Sequence, residues 1–176
     1  MMKIFISIAS YQDPMLTSTM LSAYENADLP QNLIFGICDQ STKSIDIDKF
    51  SFESQIKYDL VDPVISEGPC WARTRVQKMF DNEDYYLQID SHMQFKKGWD
   101  SYLIKNLNLI QSISTNMHQL PIITCYPRSF EVVDFERNVF ELNSSDKNTQ
   151  VISYREDSMF IKKSFCRQIG SVAGSE

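Results

Sequence analysis

The sequence predicts an α/β fold in which a mostly parallel sheet is covered by helices on both faces. Three observations support this prediction. Short apolar runs typical of buried strands recur along the chain, segments with helical spacing separate them, and polar residues follow each run. Parallel strands need crossover connections, so alternating strands and helices are the expected pattern.

The first part of the chain predicts a strand, a helix and a second strand. Residues 3–10 form an isoleucine-rich apolar run, which is typical of a strand buried on both faces. Asp13 and Pro14 suit a helix start, with Asp13 as the cap and Pro14 in the first turn. The apolar run at residues 33–38 predicts the next strand.

The middle of the chain repeats this alternation. Residues 58–65 predict a third strand, which Pro63 places at a sheet edge because proline cannot donate to the ladder. Gly68-Pro69 predicts another helix start, and residues 85–89 predict a fourth strand that is apolar on both faces.

The remainder begins with a long helix from Gly98-Trp99 that reaches Met117. A fifth strand is predicted at residues 121–125, a hairpin at residues 132–142, and two further strands at residues 151–154 and 159–162. The pattern after Arg128 is weaker than the pattern before it.

Composition excludes several classes of protein. The 176 residues are 43% hydrophobic and 23% charged, which is ordinary for one globular domain. A net charge of −6 argues against a nucleic-acid partner, since such proteins usually carry a basic surface. No apolar run approaches the roughly 18 residues of a spanning helix, so no transmembrane segment is expected.

The four cysteines are far apart and form no paired spacing. Such a set predicts buried free thiols rather than zinc ligands or a disulfide framework. Free thiols favour a reducing compartment, so we expect a cytoplasmic protein.

Asp90 and His92 form the sharpest motif, because a hydrophobic strand leads directly into them. In parallel sheets ligands bind beyond the carboxyl ends of the strands. Two residues apart on an extended chain, the two side chains point to the same side and suit a divalent cation that holds a diphosphate. The alternative is that Asp90 caps the next element and His92 is an ordinary surface histidine.

A second motif is the helix start at Gly68-Pro69 with Arg73 one turn later. Free N–H groups at a helix start favour anions, and an arginine forks onto phosphate or the edge of a base. The alternative is that Arg73 and Arg75 are solvated or pair with nearby acids.

These motifs occur in an order that resembles a known family. The stretches that carry the likeness are residues 6–14 and 36–40, Gly68-Pro69 with Ala72-Arg73, residues 87–95, and Trp99-Asp100. Together they resemble the N-acetylglucosaminyltransferases typified by the enzyme that modifies hydroxyproline of the ubiquitin-ligase subunit Skp1. The Asp90-Ser91-His92 element is also similar to that of the polypeptide N-acetylgalactosaminyltransferases.

The resemblance implies a GT-A glycosyltransferase that moves a sugar, GlcNAc, from a UDP-sugar to a hydroxyl acceptor on a protein. It implies Mn²⁺ or Mg²⁺ held by Asp90 and His92, in the Asp-x-His form of the Asp-x-Asp motif. Nucleotide contacts are implied for the turns after the first two strands and for the helix that lines the nucleotide. The residues at these positions are Ser10, Asp39, Gln40 and Arg73.

The resemblance also implies a division of the chain. Residues 1–127 correspond to the GT-A nucleotide-sugar-binding core, and residues 128–176 to the start of an acceptor-side part. That part is shorter than the family requires, so we expect a fragment or a shortened homologue. Glu156 and Asp157 are the candidate acceptor-side acids, with turn residues as the alternative.

Two other functions stay open. The chain could be a non-catalytic module that binds a nucleotide sugar. It could also be a small metal hydrolase built on Asp90 and His92, although it lacks the clustered ligands that such sites usually need.

Overall fold

The structure, a computed structural model, describes residues 2–113, 122–124, 127, 129–134 and 139–142. The chain divides into two compact units, Met1–Gln94 and Phe95–Glu176. The functional division predicted between residues 127 and 128 stays a prediction. Across the described residues, no helix is long and apolar enough to cross a membrane.

The first unit confirms the α/β prediction. Its strands are β1 (Ile4–Tyr11), β2 (Leu33–Gln40), β3 (Ile56–Val61) and β4 (Tyr85–Asp90). All neighbouring pairs are parallel, and the order in the sheet is β3-β2-β1-β4. Helix α1 (Leu16–Glu25) follows β1, and helix α2 (Pro69–Gln77) follows β3. Short 3₁₀ turns occupy residues 30–32, 47–49, 53–55 and 63–65.

The central strands β1 and β2 are buried on both sides, which explains their continuous apolar runs. Side chains alternate between faces along each strand. One face of β1 presents Phe5, which joins Cys38 of β2 and Val61 of β3 in a cluster with Ala72 and Val76 of α2. Helix α2 therefore covers this face of the sheet.

The opposite face carries a second apolar layer. Phe35 of β2 lies 5.3 Å, between ring centroids, from Phe52, and Phe52 stacks on Tyr24 of α1 at 4.0 Å. Leu16 and Met20 of α1 are also fully buried. This side of the sheet thus packs on aromatic and aliphatic side chains from α1 and the segment before β3.

Gly36 is required by close packing within the α2 face. A Cβ atom on Gly36 would lie 2.1 Å from Cζ of Phe5. The Phe5 ring therefore occupies the space that any larger residue at position 36 would need. Since Phe5 is fully buried, the ring has little room to move away.

A buried carboxylate connects β3 to the turn before β4. Lys57 donates to Glu83 at 2.9 Å and to the carbonyl of Met79 at 2.7 Å. Burial alone would raise the pKa of Glu83, but the hydrogen bonds from Lys57 and from backbone N–H groups, including that of Asp81, outweigh it. The pKa therefore lies below its usual value.

Several predicted boundaries were wrong. Strand β3 ends at Val61 rather than at residue 65, because Asp62 and Pro63 begin a 3₁₀ turn that the Asp62 carboxylate caps. Helix α1 begins at Leu16, and Asp13 is not its cap. The edge position predicted for the third strand is confirmed within the described sheet.

Strand β4 was predicted to be apolar on both faces, and this was wrong. Exposed residues alternate in it with half-buried ones and the buried Ile89, and Tyr86 keeps 39% exposure. Within the described sheet β4 lies at an edge, so it has only one neighbouring strand.

The second unit contains helix α3 (Trp99–Ile113) and an antiparallel pair, β5 (Phe130–Asp134) and β6 (Val139–Leu142). The pair confirms the predicted hairpin. Phe130 and Phe140 meet edge to face at 5.3 Å between centroids. Residues 122–124, the described part of the predicted fifth strand, form no strand, and Ile122 is 78% exposed. The strands predicted at residues 151–154 and 159–162 lie outside the described residues.

Candidate functional site

The candidate site lies at the carboxyl end of the four-stranded sheet. Strand register aligns Ser10 of β1 with Asp39 of β2, and Tyr11 with Gln40. On the other side of β1, Ala9 is aligned with Asp90 of β4. The sequence-predicted residues that follow three different strands are therefore brought to one edge, where open α/β sheets bind ligands.

Asp39 and Gln40 are buried at this edge, each 2% exposed. Asp39 accepts hydrogen bonds from Ser41 at 2.5 Å and from the Tyr58 hydroxyl at 2.6 Å. Burial and the bond to Asp39 raise the pKa of Tyr58, so this phenol stays protonated. The side-chain oxygens of Asp39 are thus engaged by neighbouring residues.

Gln40 connects the end of β1 to the segment before α2 at the same edge. Its amide nitrogen donates to the Ser10 carbonyl at 2.8 Å, and its amide oxygen accepts from the Ser66 hydroxyl at 2.5 Å. The Ser10 side chain is fully buried, and its hydroxyl has no partner among the described residues. Next to it, Tyr11 is 55% exposed. The ring of Tyr11, the last residue of β1, is therefore accessible to solvent.

Arg73 and Asp90 form a direct contact across α2 and β4. The arginine lies one turn into α2, which begins at Gly68-Pro69 as the sequence predicts. One terminal nitrogen of Arg73 donates to Asp90 Oδ1 at 3.2 Å, with 36% and 60% of the two side chains exposed. The Arg73 Nε is buried without a partner among the described residues. The pair is accessible, and an arriving anion or cation would compete for it.

His92 is held by a carboxylate that the sequence analysis assigned to a helix cap. Asp13 Oδ2 lies 2.9 Å from His92 Nδ1 and accepts from the Ser91 hydroxyl at 2.6 Å. Its Oδ1 accepts from the Met15 N–H at 2.9 Å. Burial alone would raise the pKa of Asp13, but the bonds from Ser91, His92 and Met15 outweigh it, and the pKa is lowered. Asp13 is therefore ionised at neutral pH.

Thr19 of α1 fixes the backbone of the same motif. Its hydroxyl donates to the Ser91 carbonyl at 2.7 Å and accepts from the Met93 N–H at 2.8 Å. Gln94 adds a bond to Ser18 at 3.1 Å. These contacts, like those of Asp13, were missed by sequence reasoning. The signal in the sequence is that polar Ser18 and Thr19 stand beside the apolar Leu16 and Met20, with which the structure buries them.

Asp90 and His92 have the chemistry of metal ligands. A carboxylate oxygen and an imidazole nitrogen suit Mn²⁺, and each side chain is 60% exposed. Among the described residues, no group of three or more His, Cys, Asp or Glu side chains could hold a metal. An ion held by Asp90 and His92 would keep its other positions open to water or phosphate. Glu156 and Asp157, the predicted acceptor-side acids, lie outside the described residues.

Comparison with known proteins identifies the family. A model of the family Glycosyltransferase (GlcNAc) matches residues 43–152, which is more than half of the chain. The chain belongs to the Glycosyltransferase (GlcNAc) family. This match includes α2, β4 and the Asp90-Ser91-His92 motif. No curated protein matches the sequence.

One solved structure supports the fold of this family member. The chain is similar to TarS of S. aureus, with a TM-score of 0.51 and 16% sequence identity. The match covers 61% of this chain and 20% of TarS, so the chain spans about a fifth of that protein. The similarity confirms the predicted type of fold. Among the predictions from sequence, the glycosyltransferase resemblance and its link to GlcNAc are confirmed at the level of the family.

Proposed function

We propose that this chain binds the donor of a metal-dependent glycosyltransferase that moves GlcNAc from UDP-GlcNAc to a hydroxyl acceptor. One observation carries the proposal. Within the family-matched stretch, the polar side chains of Arg73, Asp90 and His92 are accessible at the carboxyl end of β4. Open α/β sheets bind ligands beyond the carboxyl ends of their strands, so these accessible charged side chains are candidates for binding one.

Asp90 and His92 are the proposed ligands of Mn²⁺ or Mg²⁺. Such an ion neutralises charge on the departing UDP and lowers the barrier to breaking the sugar–phosphate bond. Asp90 contributes a carboxylate with one oxygen already near Arg73, and His92 contributes Nε2, which has no hydrogen bond among the described residues. The residues present fit the proposed ion.

Arg73 is the proposed phosphate contact. Its contact with Asp90 at 3.2 Å is long for a charge-assisted hydrogen bond and is exposed to solvent. A donor diphosphate would offer the guanidinium stronger acceptors. Arg73 would then bind the diphosphate while Asp90 turns to the ion.

The nucleoside contacts proposed for Ser10, Asp39 and Gln40 need a refinement. All three side chains are buried, and Asp39 and Gln40 are engaged by protein partners. We propose that Asp39 and Gln40 shape the pocket and that the exposed ring of Tyr11 offers a stacking surface to the base.

The acceptor is proposed to be a protein hydroxyl, as the Skp1-type resemblance implies. Glu156 and Asp157 are the proposed acceptor-side acids. Substituting either by its amide should lower transfer without weakening UDP binding, because the acceptor side does not hold the nucleotide.

Isothermal titration of UDP-GlcNAc with and without Mn²⁺ tests the donor site. We expect Mn²⁺ to tighten binding in the wild type, and D90N and H92Q to remove that gain. D48N is the matched control, since Asp48 is exposed and lies in a separate 3₁₀ turn. Binding that ignores Mn²⁺, or that D90N leaves intact, would contradict the proposal.

Product analysis separates transfer from binding alone. A transferase with no acceptor present usually releases some free sugar by donating to water, so we expect slow formation of GlcNAc and UDP that depends on Asp90. Tight Mn²⁺-dependent binding with no release in any condition would instead favour the non-catalytic module. Cleavage of simple phosphate esters would favour the metal hydrolase.

A further inference from the structure

Asp13, which the sequence pattern predicts to be a helix cap, contacts the His92 ring at Nδ1. The N-cap of α1 is Met15, and Asp13 contacts the helix start only through Oδ1, which accepts from the Met15 N–H. The other oxygen of its carboxylate, whose side chain is 17% exposed, contacts residues that follow β4. A carboxylate so placed has a role outside its own helix.

The contact fixes which ring nitrogen of His92 carries a proton. Both oxygens of Asp13 act as acceptors, Oδ1 for the Met15 N–H and Oδ2 for the Ser91 hydroxyl, so we assign His92 Nδ1 as the donor across the 2.9 Å contact. In the neutral ring the proton then resides on Nδ1, and Nε2 keeps its lone pair. Nε2 belongs to a side chain that is 60% exposed. This is the tautomer that a histidine needs in order to bind a metal through Nε2.

We infer that Asp13 is a positioning residue that orients His92 and sets its tautomer for binding a divalent cation through Nε2. The inference rests on the proposed metal site. Histidines that bind metals usually donate their second ring N–H to a carboxylate or a carbonyl, and loss of that partner typically weakens metal binding. The neighbouring Ser91 hydroxyl, which shares Asp13 Oδ2, holds the carboxylate in place.

The substitution D13N tests the inference through hydrogen-bond direction. The Met15 N–H needs an acceptor at the position of Oδ1. An asparagine that provides its oxygen there turns its NH₂ group toward Ser91 and His92. His92 Nδ1 would then accept instead of donate, and the ring proton would move to Nε2. This variant changes the tautomer while it keeps the size of the side chain.

The first measurement is ¹⁵N NMR of the ring nitrogens in the full chain without metal, at about pH 8, above the ordinary titration range of imidazole. H92Q assigns the signals, since the chain has two histidines. We expect the wild type to carry the proton on Nδ1 and D13N to carry it on Nε2. If the wild-type ring carries its proton on Nε2, the inference is refuted. This result is obtained from the wild type alone, so it does not depend on whether D13N folds.

The second measurement is Mn²⁺ binding, followed by the EPR signal of the free ion. We expect D13N to weaken binding by about 10- to 100-fold. S18A is the matched control, because Ser18 bonds to Gln94 in the same segment but does not touch His92. We expect S18A to bind Mn²⁺ as the wild type does.

The outcomes separate this inference from the proposed function. If H92Q weakens Mn²⁺ binding and D13N does not, the positioning role is refuted and the metal site stands. If H92Q and the wild type bind Mn²⁺ equally, the metal site is refuted, and the role of Asp13 toward a metal falls with it. Weakening by S18A equal to that by D13N would also refute the role, because it would reflect general loosening of the segment.

Discussion

Replacing Arg73 by glutamine should change two affinities in opposite directions. In the free protein the guanidinium lies 3.2 Å from Asp90 Oδ1, so it competes with a cation for this carboxylate. In the donor complex we propose that the same guanidinium binds the diphosphate. R73Q should therefore tighten Mn²⁺ binding when no nucleotide is present, and weaken the binding of UDP when Mn²⁺ is saturating.

The magnitudes follow from the exposure of the pair. The side chains of Arg73 and Asp90 are 36% and 60% exposed, and exposed ion pairs are worth about 0.2–1 kcal/mol. Releasing Asp90 should thus tighten Mn²⁺ binding by at most about fivefold. A hydrogen bond to a charged group contributes about 1.5–3 kcal/mol, so UDP affinity should fall by about 13- to 160-fold.

EPR titration of Mn²⁺ and calorimetric titration of UDP measure the two effects. K78Q is the matched control, since Lys78 is exposed at the far end of α2 and its loss removes the same charge. We expect K78Q to leave both affinities close to those of the wild type. Unchanged UDP affinity in R73Q would refute the assignment of Arg73 to the diphosphate. A fall in both affinities would refute the competition for Asp90.

Three further predictions concern the fold that supports the site. G36A should lower the free energy of unfolding by about 1–3 kcal/mol, because the new methyl group would overlap the Phe5 ring; the urea midpoint should fall with an unchanged slope. The lowered pKa of Glu83 stabilises the folded state fully above the ordinary value of 4.5, and this contribution is lost as pH falls through the lower folded-state pKa. The stability difference between wild type and E83Q should therefore shrink in acid, and a constant difference would contradict this. Burial, with nearby carboxylates, raises the pKa of the Cys38 thiol to about 11, so peptide mapping after brief alkylation should find exposed Cys70 labelled before Cys38.

The strands could be predicted where burial is continuous. Strands β1 and β2 are buried on both faces, and their apolar runs predicted each strand to within about two residues. Strand β3 contains Lys57 and Asp59, which pair with Glu83 and Arg75. These polar residues hid the start of the strand, since local patterns do not show partners elsewhere in the chain.

The motif after β4 could be predicted because an apolar run precedes it. The residues that hold the motif in place could not be predicted. Asp90 and His92 stand directly after an apolar run. Asp13 precedes His92 by 79 residues, and Asp-Pro at the end of a strand suits a helix cap equally well. Only the parallel pairing of β1 with β4 brings the two segments together. The role of Thr19 could not be predicted either, because the sequence around a helical threonine does not indicate which distant groups its hydroxyl will bond.

Asp13, Asp39 and Asp90 all lie near the carboxyl ends of these strands, and their surroundings divide them into different roles. Asp39 is 2% exposed and accepts from Ser41 and Tyr58, so it holds a loop. Asp13 is engaged by three donors and holds the motif after β4. Asp90 is 60% exposed, and its one side-chain contact among the described residues is the long one with Arg73. A carboxylate whose lone pairs are already used by protein donors has little left for a ligand, whereas Asp90 keeps most of its capacity. Substitutions that alter donor binding directly should therefore concentrate at Asp90, Arg73 and His92, and those at Asp13 and Asp39 should act through geometry.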